Sequence, residues 1–241
     1  LGLHIEPAAA THIGLVRTSN QDSFGMDRDL GLYVVCDGMG GAAGGEIASQ
    51  LAVETFLAIA RQELHSGTPT RDALLRAVAG ANRAVVARAQ WDTCYRGMGS
   101  TLVAARIFYN HLTIINVGDS RAYLIRNGEP TQLTLDHSIV AERVRAGLMT
   151  PAEAESSSMQ SVITRAVGAE PDVHPDLYEL TLNPQETLLL ASDGLTRSVS
   201  IDEIAGIIGD HSATEACEQL IALANRHGGQ DNITCIVIPN Q

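Results

Sequence analysis

The chain has 241 residues, enough for one large domain or two small ones with a sizeable core. Hydrophobic residues make up 45% and charged residues 18%, which is too apolar for disorder, and no apolar run approaches the ~18 residues of a membrane span. A net charge of −12 argues against a nucleic-acid partner; all sixteen basic residues are Arg, so no P-loop, kinase-type or Schiff-base lysine exists, and positive charge for any phosphate chemistry must come from Arg or metal.

The opening LGLHIEPAAATH lacks a basic region, a long apolar core and an initiator Met, and reads as a trimmed or processed start. Strand-like runs follow at 12–16 and 31–36. The second enters VVCDGMGGAAGGEIAS (34–49), where an apolar strand meets a glycine-rich turn and then a helix. Gly38, Gly40 and Ala43 fit the G-x-G-x-x-A dinucleotide fingerprint, whose backbone N–H groups cradle a pyrophosphate. Asp37, just before the first glycine, would face those phosphates with like charge. The loop therefore reads either as a direct phosphate cradle or as a turn that holds metal.

Helical periodicity runs from Glu46 to Leu64, with Ile47, Leu51, Val53, Phe56, Leu57 and Ala60 on the apolar face, and again from about Arg71 to Ala89. Strands are expected at 101–108, 112–117 and 121–126 with no helix between them. The capping box Thr150-Pro151-Ala152-Glu153 starts a short helix inside 138–170. Strands at 178–182 and 186–191 come next, then helices opened by Ser200-x-x-Glu203 and Ser212-x-x-Glu215, then a strand at 233–238. Strands cluster and helices come in pairs, which indicates an α+β architecture rather than a doubly wound parallel sheet. Cys36, Cys94, Cys217 and Cys235 form no CxxC pair or zinc spacing, and Cys36 and Cys235 sit in apolar runs as small buried thiols, which fits a reducing, cytoplasmic setting.

Aspartates recur at strand ends. Asp37 ends YVVCDG, Asp119 follows IINVG, Asp193 ends LLLASDG, and Asp231 in GGQDN precedes ITCIVI; Asp22 in RTSNQD precedes another short apolar segment. Carboxylates that converge on one sheet edge need cations to neutralise them, and oxygen ligands without Cys or His select Mg²⁺ or Mn²⁺ over zinc. Asp-Gly is also a preferred turn dipeptide, so on spacing alone the turn and ligand readings stand side by side.

The segments RTSNQDS, DGMGGAAGGEIAS, GMGSTLVAARI, NVGDSRAYLIR, LDHS, ASDGL and GGQDNIT, in this order and over the whole chain, resemble the motifs of the metal-dependent (type 2C) protein Ser/Thr phosphatases, in their bacterial branch. The resemblance implies a four-layer α–β–β–α sandwich with two central, mainly antiparallel sheets. It implies a single catalytic domain over 1–241, with a flap at about 138–170 beside the active site. Two tightly bound Mn²⁺ or Mg²⁺ ions would be bridged by Asp37, with Asp193 and Asp231 completing the first site and the Gly38 carbonyl joining the second. Asp22 would contact metal-bound water, and Asp119 with Asp193 would hold a third, weaker ion. Arg17 would grip the substrate phosphate with its guanidinium fork. The implied reaction is in-line hydrolysis of phosphoserine and phosphothreonine by a water activated between two cations. No Cys-x₅-Arg loop offers a covalent alternative, since the residue six after Cys36 is Ala42. The partners implied are phosphorylated proteins, including a Ser/Thr protein kinase and its substrates, met by a cytoplasmic monomer in signalling.

Departures from the family pattern concern the leaving-group proton. Many eukaryotic relatives have His after Asp-Gly, where this chain has Met39; some bacterial members have His five positions after the Asp, where this chain has Ala42. The proton is then expected from metal-bound water or from His137, which also reads as a hydrogen-bonded structural His in LDHS. Gln21 stands where the wider family often has Glu. Two rival readings are a non-catalytic regulatory module, which loss of a core aspartate would favour, and a phosphatase of anti-sigma-factor antagonists, which departs from these motifs more widely. All five aspartates are present.

Overall fold

Residues 6–240 are described by a computed structural model, with Ala42 and Ala43 described by their backbone alone; the reading of the chain's first five residues lies outside this range. One sheet has the order β1 (Ala8–His12), β11 (Ile233–Asn240), β10 (Glu186–Ala191), β7 (Arg121–Arg126) and β8 (Glu129–Gln132). The other runs β2 (Asp22–Asp27), β3 (Leu32–Met39), β5 (Leu102–Phe108), β6 (His111–Val117) and β9 (Asp176–Thr181), with the short β4 (Gly99–Ser100) also paired to β3. Among the described residues every pairing is antiparallel.

Side-chain alternation turns these sheets into layers, because successive residues of a strand face opposite sides. In β3, Leu32, Val34 and Cys36 pack under α1 (Gly41–His65) and α2 (Thr70–Trp91), while Tyr33 and Val35 face the other sheet. In β10 and β11, Leu189, Ala191, Ile233, Cys235 and Val237 meet the second helix layer, and Leu188, Leu190, Ile236 and Ile238 enter the core between the sheets. That layer is α5 (Asp193–Thr196), α6 (Ile201–Asp210) and α7 (Ala213–Arg226). The result is the expected α–β–β–α sandwich. Strands apolar on both faces are what such a four-layer arrangement requires.

The capping boxes form as the sequence indicates: Thr150, Ser200 and Ser212 each accept from the backbone N–H three residues on, and the Glu there reaches back. The Thr150 box opens α4 (Pro151–Glu155), which with α3 (Ile139–Arg145) lies in the segment 138–170. The bridge Ser138↔Ile163 closes that segment on itself, and Ser100↔Val167 ties it to β4.

Two expectations shift. The strand at 12–16 lies instead at Ala8–His12, and 13–16 is a loop in which Gly14 has φ +81 and a Cβ would lie 2.3 Å from the Asp231 carbonyl oxygen. The first helix begins at Gly41, five residues before the periodic stretch, because only glycine lets its first turns close on the preceding strand. A Cβ on Gly38 would lie 1.9 Å from the Gly45 carbonyl oxygen, and one on Gly45 would lie 2.6 Å from Gln21 Oε1.

Candidate active site

Asp37 lies two residues before the end of β3, Asp119 follows β6, Asp193 opens α5 after β10, and Asp231 lies two residues before β11. These ends lie together, and all four side chains line one cleft of about 440 Å³ with Arg17, Gln21, Gly38, Met39, Thr101 and Asn232. The flap contributes Ser161 and Ile163 to the same cleft. Asp22 does not line it. It stands on the neighbouring strand β2 of the same sheet, with its Cα in register with that of Asp37.

The supporting bonds explain how the loops are held. Thr101 clamps Asp37 from both sides, its Oγ1 accepting from the Asp37 N–H at 2.9 Å and its own N–H donating to the Asp37 carbonyl at 2.8 Å. Asn232 donates to the carbonyls of Ile13 and Ser19, both at 2.9 Å, and accepts from the Gln21 N–H at 2.8 Å. That asparagine thereby fixes the loop that carries Arg17. Ser192 Oγ donates to Asp22 Oδ2 at 2.7 Å and accepts from the Thr234 N–H at 3.0 Å.

Electrostatically the cluster is under tension. Burial pushes Asp37 well above the usual carboxylate range, and the charges of Asp22, Asp193 and Asp119 push it further. Asp22 is raised to about 7, chiefly by burial, although bonds from Ser192 and Thr234 oppose the shift. Asp119 is also raised to about 7, by burial and then by Asp193, with Arg197 acting the other way. Carboxylates this close favour a bound cation over the solvent-free cluster.

The donor set suits a hard divalent ion: carboxylates and a carbonyl, with Asp22 Oδ1 and Asp193 Oδ1 buried and lacking hydrogen-bond partners. As the side chains stand, no group of three or more His, Cys, Asp and Glu among the described residues is drawn into a closed metal cage. The reason is visible in the partners they have taken. Asp231 Oδ2 accepts from Arg17 at 2.8 Å, and Asp119 Oδ2 and Asp193 Oδ2 lie 2.7 and 3.0 Å from Arg197 Nη2. Rotation of Asp231 away from Arg17 is the adjustment an ion would require.

His137 is not placed for acid catalysis. It is buried and does not line the cleft. Its Nδ1 accepts from the Gly118 N–H at 3.0 Å, and its Nε2 is 3.1 Å from Asp176 Oδ2. A ring nitrogen that accepts a hydrogen bond belongs to a neutral imidazole, and burial lowers the pKa in the same direction, so His137 reads as structural. Among the described residues no histidine lines the cleft, and the side chain of Ala42 lies outside the described part. Gln21 spends its side-chain amide on the Gly41 carbonyl at 2.7 Å, joining the glycine-rich turn to the Arg17 loop.

Thr101, Ser192, Asn232 and Arg197 complete the site without standing out in the sequence; Arg197 alone carries a signal, its i,i+4 spacing from Asp193.

A model of the protein phosphatase 2C family matches residues 12–233. Protein phosphatase PhpP of Streptococcus pneumoniae is 37% identical over 240 residues, spanning 97% of this chain and 97% of the relative. Serine/threonine protein phosphatase PstP of Mycobacterium tuberculosis is 38% identical over 233 residues, which span 95% of this chain and 44% of that longer protein. The crystal structure of the M. tuberculosis serine/threonine phosphatase PstP/Ppp superposes with a TM-score of 0.91 at 37% identity, over 98% of this chain and 99% of that one. A catalytic-domain structure of PstP in complex with two manganese ions gives 0.87 at 35% identity, over 99% of both chains.

Proposed function

The chain belongs to the protein phosphatase 2C family, and from that premise we propose that it hydrolyses phosphoserine and phosphothreonine in proteins at this cleft. The observation that carries the reading is the meeting of Asp37, Asp119, Asp193 and Asp231, from four separate elements, in one cleft with Arg17 at its edge. When bound, two Mn²⁺ or Mg²⁺ ions supply a water of lowered pKa and stabilise charge on the transferring phosphoryl group.

Asp37, Asp193, Asp231 and the Gly38 carbonyl are the residues that would hold those ions. Asp22 backs Asp37 and, through Ser192, joins β2 to the end of β10. Arg17 is half-exposed and offers its fork to the non-bridging phosphate oxygens once Asp231 has turned from it. Thr101 and Asn232 keep Asp37 and the Arg17 loop in place, so the phosphate is met by pre-positioned groups. With Met39 beside the cleft and, among the described residues, no imidazole lining it, the alkoxide leaving group takes its proton from water rather than from a side-chain acid.

The substrates are phosphoproteins, a Ser/Thr protein kinase and its targets among them, and the chain acts on them as a single, monomeric catalytic domain in the reducing cytoplasm. Buried, unpaired Cys36, Cys217 and Cys235 support this setting. Assay of phosphoserine, phosphothreonine and phosphotyrosine peptides, with and without Mn²⁺, tests the proposal. Mn²⁺-dependent release of phosphate from the first two is expected; metal-independent turnover, or a preference for phosphotyrosine, would contradict it.

A further inference from the structure

Asp119 and Asp193 already share a cation. Arg197 Nη2 lies 2.7 Å from Asp119 Oδ2 and 3.0 Å from Asp193 Oδ2, and the same nitrogen donates to the Gln160 carbonyl at 2.9 Å. Helical spacing explains the reach. Arg197 follows Asp193 by four residues, and its backbone N–H donates to the Asp193 carbonyl at 2.8 Å, so the two side chains share a face. Asp119 arrives from the end of β6 and Gln160 from the flap, so three segments of chain converge on one guanidinium. Both carboxylates are largely buried, where removing the positive partner leaves uncompensated charge; this pair is unlike an exposed ion pair of little consequence.

A third ion held between Asp119 and Asp193 does not fit beside this group. Arg197 already occupies one oxygen of each carboxylate, so the ion would compete for these and would meet a permanent positive charge only a few ångströms away. We propose that Arg197 is a built-in replacement for that ion: the chain holds two divalent cations, while Arg197 orients Asp193 and fastens the flap at Gln160. With Oδ2 committed to Arg197, Asp193 Oδ1, buried and without a hydrogen-bond partner, is left for the two-ion core. Gln160 immediately precedes Ser161, which lines the cleft, so the same guanidinium also sets the position of the flap beside the substrate. The inference rests on the two-ion reading of the cleft.

Metal stoichiometry tests it without relying on turnover. Mn²⁺ is titrated into the wild-type chain and into Arg197→Ala, Arg197→Met and Arg197→Lys, with heat and the electron paramagnetic resonance of free Mn²⁺ both recorded. The wild type and the charge-retaining Lys variant should saturate at two equivalents. The Ala and Met variants should take up a third, weaker equivalent in the millimolar range and lose it again when Asp119→Asn is added. Amide exchange over 156–163 should quicken in the Ala and Met variants. Three equivalents in the wild type, or two in Ala and Met variants with wild-type circular dichroism, would overturn the replacement role while leaving the two-ion site intact. Fewer than two in the wild type would overturn the two-ion reading, and this inference with it.

Discussion

With divalent ions chelated, the protein should lose stability as pH rises, and Asp22→Asn should remove a defined part of that loss. Asp22 is buried, its Oδ1 has no hydrogen-bond partner, and burial with the charges of Asp193 and Asp231 raises its pKa to about 7. An unfolded Asp titrates near 3.9. Between these values the folded chain keeps a proton that the unfolded chain has released. The corresponding stability is therefore present in full below about pH 4 and is lost as pH rises through about 7. A shift of roughly three units corresponds to about 4 kcal/mol from Asp22 at pH 8. Asn keeps the size of Asp and its carbonyl can still accept from Ser192 Oγ, so the substitution removes charge and little else. For a chain of this size about 3 °C of Tm accompanies each kcal/mol. The chelated variant should therefore melt roughly 10 °C above the chelated wild type at pH 8, with the gap closing toward pH 4. Thermal denaturation followed by circular dichroism in EDTA, from pH 4 to 8, measures it. A gap that does not change with pH, or a variant less stable at pH 8, would refute the electrostatic reasoning.

Arg17→Ala should raise KM about 10- to 100-fold with little change in kcat, since charge-assisted bonds to phosphate are each worth about 1.5–3 kcal/mol; a fall in kcat alone would place Arg17 in the chemical step instead. Met39→His should raise phosphothreonine-peptide turnover by up to about 10²-fold and leave p-nitrophenyl phosphate nearly unchanged, because only the alkoxide needs a proton; equal effects on both substrates would show that the imidazole acts through its charge. Gly38→Ala should cost about 2 kcal/mol or more in urea denaturation, because its Cβ would meet backbone of Gly45 rather than a movable side chain, and a loss under about 0.5 kcal/mol would contradict that contact.

The interior of the fold was legible because buried strands carry apolar residues on both faces: β3, β5, β6, β7, β10 and β11 all stand out as apolar runs. The elements missed or displaced are mostly sheet edges. β1, β2 and β8 each have a partner on one side only, and their residues are mainly half-buried or exposed, so AAATH, DSFGMD and EPTQ carry little periodic signal. Helices with capping boxes were located at their first residue, whereas the one-turn α5 is too short to show periodicity. At the site, the aspartates were legible as acidic residues punctuating apolar strands. Their supports were not, because the bonds of Thr101 to Asp37, Ser192 to Asp22 and Asn232 to Ile13 cross 64, 170 and 219 positions of chain. The role of His137 likewise depends on Gly118, Asp176 and Arg165, which surround its ring nitrogens and lie far away in sequence.

The most direct measurement pairs Mn²⁺ binding with phosphothreonine-peptide hydrolysis in wild type and Asp37→Asn. Asp37 lines the cleft with Asp193 and is held by Thr101, and Asn would keep its size while removing the charge proposed to be shared by two ions. The wild type should bind Mn²⁺ and turn over, and should stop when EDTA is added; Asp37→Asn should remain folded, bind Mn²⁺ far more weakly and lose turnover by at least about 10³-fold. Near-normal hydrolysis by folded Asp37→Asn, or wild-type hydrolysis that survives EDTA, would contradict a two-ion phosphatase site at this cleft.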